Sequence, residues 1–274
     1  MRPFSITVVS LYFPDLLIDE AGGNDADFAP ISSISMAIVF VLAPLVGALT
    51  DRVPRRMPWL IALTVICCLG TIFLGSGSLA TAMVLFVIAN SSYLLALLVY
   101  DSLLPVVSTE NDRGRVSGWG FAAGFGGSLA GIVIGLTILT IDDAAFPVIF
   151  AVIGALFLAC SIPCFRWVRE PINPRAGPFR RAVIAETFRE VRQTARDARD
   201  VRGLRRFLVG RFLYSDATNT VFIFMSIYAT KEIGFSDLQT QLVLLAGIII
   251  GPAGALWAGS VDRSGPKRTL NVMC

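Results

Sequence analysis

The chain has 274 residues, 55% of them hydrophobic, with 23 Lys and Arg against 20 Asp and Glu and no histidine. A mean hydropathy of +0.71 is far above that of a domain presenting a charged surface to water, which excludes an ordinary soluble fold. The missing histidine removes imidazole triads, His-based metal sites and imidazole proton relays, and a net charge of only +3 gives no support to nucleic acid as a partner.

A helix that crosses about 30 Å of hydrocarbon needs about 20 mostly apolar residues. The first apolar run, residues 4–18, is short; it lacks a small-residue cleavage site and leads into further spans, so it reads as a curtailed helix and not a signal peptide. Full-length runs follow at 31–50, 58–74, 79–100, 116–139, 144–165, 207–230 and 238–260. Backbone groups in lipid must be bonded internally, so these runs predict an all-α, polytopic membrane protein with about eight transmembrane helices. Cys67, Cys68, Cys160, Cys164 and Cys274 lie in apolar stretches without metal-ligand spacing and are expected as small buried hydrophobes. Neither a metal nor a cofactor is expected.

Loop charges alternate along the chain. Arg52, Arg55 and Arg56, then Arg113 and Arg115, then twelve Arg from Arg166 to Arg206, then Arg263, Lys267 and Arg268 fall on one side. The opposite loops carry Asp19, Glu20, Asp25 and Asp27, then Asp142 and Asp143, then Glu232 and Asp237, with Lys231 as their base. Lys and Arg are retained on the cytoplasmic side, which places the long basic loop there and suits a bacterial inner membrane. Within that loop Ile184, Phe188, Val191, Ala195 and Ala198 recur at helical spacing opposite an Arg-rich face, as in a surface helix lying on anionic headgroups, the alternative being a regulatory or partner-binding role. The expected organisation is residues 1–165 as a six-helix half, 166–206 as linker, and 207–274 as the start of a second half.

Two loops repeat at a distance of 211 residues. Gly47, Asp51, Arg52 and Arg56 in the first match Ala258, Asp262, Arg263 and Lys267 in the second. A charge network at a helix end can close one state and must break to open another, so both loops are candidate gates, the alternative being orientation anchors. Ser10-Leu11-Tyr12 likewise answers Ser226-Ile227-Tyr228. On this alignment the first helix is shortened and the second half stops after two of its six helices.

With its two halves, its basic connecting loop and the pattern G-x-x-x-D-R-x-x-R-R from Gly47 to Arg56, the chain resembles the major facilitator superfamily. Residues 3–9, Tyr100-Asp101-Ser102-Leu103-Leu104-Pro105 with 115–120, and 212–220 give it a finer likeness to the vacuole-effluxer-like branch, which includes autophagy-linked amino acid exporters. The resemblance implies a twelve-helix bundle, of which eight helices are present, working by alternating access on a small solute. Amino acid efflux is part of that implication, and a truncated, non-transporting remnant is the alternative. An enzyme is not expected, since no nucleophile and base pair appears.

A charge near the bilayer centre is a functional candidate because insertion there costs about 2.5–3.5 kcal/mol. Asp216 lies about 14 Å along the seventh span, with Asn219 and Thr220 on the same helical face. Binding or proton coupling is one role for this patch, an interhelical hydrogen bond the other. The resemblance places spans one, four, seven and ten around the central cavity, which adds Asn90 and Tyr93 of the fourth span as candidate solute contacts. Gly120, Gly124, Gly127 and Gly131 in the fifth span and Gly251 in the eighth have the spacing of closely packed helices, and the resemblance makes them an interface between halves.

Overall fold

The computed structural model describes Phe13, residues 25–141 and 145–173, and isolated positions from 189 to 257. Among these, every regular element is helical: α1 Asp25–Arg52, α2 Met57–Ile72, α3 Leu79–Ser102, α4 Leu104–Val107, α5 Arg113–Leu139 and α6 Phe146–Trp167. Within the described residues four helices are long and apolar enough to cross a membrane, the span 30–52 of α1 together with α3, α5 and α6, while α2 is a shorter apolar helix. These five match the second to sixth expected spans, and the expected count of eight is not reached because the first, seventh and eighth fall almost wholly outside the described residues.

Proline sets several boundaries. Pro58 and Pro147 occupy the first turns of α2 and α6, where a missing N–H leaves no bond unmade. The loop after α2 turns at Gly77, whose φ of +137° is open only to glycine. At the neighbouring Gly75 a Cβ would collide with Pro147 at the start of α6, so the loop lies directly against that helix.

The chain divides into two compact units, Met1–Arg180 with Gly251–Cys274, and Arg181–Ile250. In the second unit Arg189, Gln193 and Arg196 are helical and exposed, whereas the apolar positions of the expected surface helix lie outside the described residues. In the first unit α3 packs against α1 and α2, and α2 also against α6. One core cluster joins Cys67 and Cys68 of α2, Tyr93 of α3 and Phe157 of α6. A second, at the Arg-bearing end, joins Met57, Leu60, Ala96, Val99 and Leu103. Cys160, expected to be buried, is exposed on α6; an apolar residue facing lipid costs nothing there, so apolarity alone does not mark the inside of a membrane protein.

Outward surfaces are apolar, with Phe40 83% exposed on α1, as helices solvated by lipid require. Trp59, Trp119 and Trp167 are exposed near the ends of α2, α5 and α6 that meet at the basic loops, the level at which indole rings anchor to a membrane surface.

Candidate functional site

The loop between α1 and α2 is organised around Arg56. Its guanidinium donates to the Asp51 carboxylate at 2.9 Å, to the Ser102 carbonyl at the end of α3 at 2.7 Å, and to the Thr50 carbonyl at 3.3 Å. The planar fork lets one cation hold three acceptors from two helices, which an ammonium could not match in direction. Asp51 is largely exposed and Arg56 half-buried, so the pair itself contributes little and the carbonyl bonds more. Thr50 is buried and its hydroxyl donates to the Gly47 carbonyl at 2.8 Å. Among the described residues, nothing beyond the helix's own backbone lies within 4 Å of where a Gly47 Cβ would stand, so their packing does not require glycine there in this arrangement. Asp262, Arg263 and Lys267, the matching loop, lie outside the described residues.

Sequence reading missed two residues of this cluster. The Glu170 carboxylate accepts from the main-chain nitrogens of Arg56 at 2.6 Å and Met57 at 3.0 Å, and a negative group at a helix N-terminus is favourably placed. Asn173 donates from its side-chain amide to the Asp51 carbonyl at 2.7 Å and from its main-chain nitrogen to the Pro54 carbonyl at 3.0 Å. No periodicity links residues so distant in sequence.

The next basic loop is fastened by Asp112, the residue preceding α5. Its carboxylate accepts from the Thr109 hydroxyl at 2.7 Å and the Thr109 main-chain nitrogen at 2.6 Å. Those bonds, the hydroxyl's first, and the nearby Arg115 charge hold the Asp112 carboxyl below its usual range. Beside this loop a cavity of about 200 Å³ opens between the ends of α3 and α6 and the first turns of α5, lined by Tyr100, Asp101, Ser117, Phe121, Cys164 and Val168 among others.

Of the candidate solute contacts, Asp216, Asn219 and Thr220 lie outside the described residues. Asn90 is half-buried on α3. One turn before it, Phe86 stacks on Phe13 with ring centroids 4.3 Å apart, so Asn90 shares the α3 face on which Phe13 lies. Tyr93 is 4% exposed, with its ring 6.2 Å from that of Phe157 and packed with Cys67 and Cys68. The ring therefore points toward α2 and α6, and the structure does not bring Tyr93 and Asn90 into one described pocket.

Gly124, Gly131 and Gly135 are buried on one face of α5 with Ser128 and Ile132. Gly127 is half-buried, and among the described residues a Cβ on Gly120 would meet only the Tyr100 hydroxyl at 3.6 Å. At Gly251 a Cβ would come within 3.0 Å of the Phe125 ring. Close helix approach also occurs where no pattern announced it: a Cβ on Gly154 would stand 2.7 Å from Ile72 and 3.0 Å from the Cys68 carbonyl, and one on Gly70 3.1 Å from Ala89.

A family model described as "Vacuole effluxer Atg22 like" matches residues 26–274. Among curated proteins, an uncharacterized MFS-type transporter of Bacillus subtilis (strain 168), YxiO, is 23% identical over 300 residues, covering 98% of this chain and 67% of that protein. An uncharacterized protein of Aquifex aeolicus (strain VF5) is 24% identical over 274 residues, covering 96% of this chain and 64% of its own length. The chain thus spans about two thirds of the length of these relatives. No solved structure matches it.

Proposed function

The chain belongs to the vacuole effluxer Atg22-like family, and from that membership we propose that it serves secondary transport, moving a small solute across a membrane by alternating access. The observation that carries the reading is the family match from residue 26 to 274, with one relative named as an MFS-type transporter. Efflux is the favoured direction by likeness to the family's description, and amino acids are the favoured solute by the resemblance seen in the sequence alone. The lipid bilayer is the chain's solvent, and the basic loops face the cytoplasm, since Arg is retained there.

In this reading the Asp51–Arg56 loop is a gate. Arg56 bridges α1 and α3, and separating the two helix ends requires its bonds to break. Asp216 is the proposed coupling group, because its span offers a carboxylate at mid-depth and the chain has no histidine to carry a proton. Asn219 and Thr220, at helical spacing from it in the sequence, and Asn90 of the fourth span are the proposed solute contacts. Asp262, Arg263 and Lys267 repeat the gate in the second half.

The test is flux of labelled neutral amino acids in proteoliposomes holding the full chain, with and without a pH gradient. Gradient-dependent flux that Asp216→Asn abolishes supports the assignment, and unchanged pH dependence in that variant sinks it. Absence of flux in every condition would favour the non-transporting alternative.

A further inference from the structure

After α6 the chain turns back over the loop between α1 and α2. Its bonds there go to main-chain atoms: Glu170 takes the nitrogens of Arg56 and Met57, while Asn173 reaches the carbonyls of Asp51 and Pro54. The loop's path is therefore held from one side by residues 170–173, and the Arg56 guanidinium is held from the other by Thr50 and Ser102. Among the first N–H groups of α2, that of Met57 depends on Glu170: Pro58 has none, and Trp59 already bonds the Arg56 carbonyl at 3.0 Å.

We propose that Glu170 and Asn173 form a latch that makes the start of the basic linker and the Asp51–Arg56 loop one moving unit. The loop leaves this arrangement only when residues 170–173 release it. Coupling of this kind is reciprocal, so weakening either partner must loosen the other. Glu170 and Asn173 are positioning residues, acting on the gate through the loop's backbone, whereas a simple helix cap by Glu170 would leave Met57 indifferent to Asn173.

Amide hydrogen exchange on the full chain in nanodiscs tests this without any solute. Glu170→Ala should speed exchange at Arg56 and Met57 by about tenfold or more, as loss of a charge-assisted bond requires. Glu170→Gln, which keeps an acceptor oxygen, should fall between. Arg56→Ala, which leaves its main-chain nitrogen in place, should speed exchange at Asn173. Asn173→Ala is the mild variant, and it should speed exchange at Met57, an atom it does not touch. Effects confined to the substituted side, with Met57 unchanged in Asn173→Ala, overturn the latch. Coupled exchange without flux would sink the transport reading and leave the latch standing; flux without coupled exchange would do the reverse.

Discussion

The Glu170 carboxylate stands 2.6 Å from the main-chain nitrogen of Arg56, 114 residues earlier in the chain, while the guanidinium of that same arginine reaches the Ser102 carbonyl at 2.7 Å. One residue thus joins the ends of α2, α3 and α6. Its side chain and its backbone serve different neighbours, so substitutions can separate the two roles.

Arg56→Lys keeps a cation near Asp51 but loses the fork that also serves Ser102 and Thr50. Thermal unfolding in detergent should show a loss of about 1–2 kcal/mol. Asp51→Asn should cost less than about 1 kcal/mol, because the Asp51 side chain is 68% exposed. Equal losses in the two variants would mean that the ion pair, and not the carbonyl bonds, holds the loop.

Gly154→Val should destabilise by about 1–3 kcal/mol, the range for forced overpacking, since even a Cβ would stand 3.0 Å from the Cys68 carbonyl. Gly126→Ala on α5, where the described residues leave space for a Cβ, is the control and should unfold at or above the wild-type temperature. A Gly154→Val protein as stable as the control would contradict the close approach of α2 and α6.

Ser128 is 1% exposed and its hydroxyl has no hydrogen-bond partner among the described residues. An unsatisfied buried hydroxyl lowers stability by about 1–3 kcal/mol, so Ser128→Ala should raise the unfolding temperature. A lowered temperature would show that the hydroxyl finds a partner in the membrane.

Asp112 gives the basic end a pH dependence. Its carboxyl is held below the usual range by Thr109, so its contribution to the α4–α5 turn is complete above the unfolded value of about 3.9 and is lost as pH falls through the lower folded value. Exchange at the Thr109 amide, followed from pH 6 downward, should accelerate in that acid window beyond its intrinsic trend. Asp112→Asn should flatten the extra acceleration; if it persists, another group is responsible.

Gly47→Ala separates packing from gating. With no described neighbour near the added methyl beyond its own helix, stability should hold or rise slightly, while solute flux should fall if the loop must approach a neighbour closely in another state. Unchanged flux would remove Gly47 from the gate.

Helix positions were readable because lipid imposes a length. The expected spans 79–100 and 116–139 correspond to Leu79–Ser102 and Arg113–Leu139, differing by a turn or less where polar residues extend the helix past the apolar run. Facing was not readable. Tyr93 sits in a helix apolar nearly all round, where hydrophobicity gives no inward direction, and its ring turned out to fill the core beside Phe157. Cys160 failed as a buried residue for the same reason. Arg56 was visible through its motif, but Glu170 and Asn173 were not, because a contact across more than a hundred residues leaves no local spacing. Gly154 and Gly70 likewise stand alone in their helices, unlike the regular glycines of α5, so only geometry revealed their role.

The brevity of α2 has a consequence for the surrounding lipid. Its 16 residues rise about 24 Å, short of a hydrocarbon layer of about 30 Å. Ile66, Leu69 and Phe73 nonetheless face outward along it. A span that short is met by local thinning of the bilayer or by flanking side chains reaching for the headgroups, at a fraction of a kcal/mol per ångström, which makes bilayer thickness a variable to which the adjoining Arg56 loop is exposed.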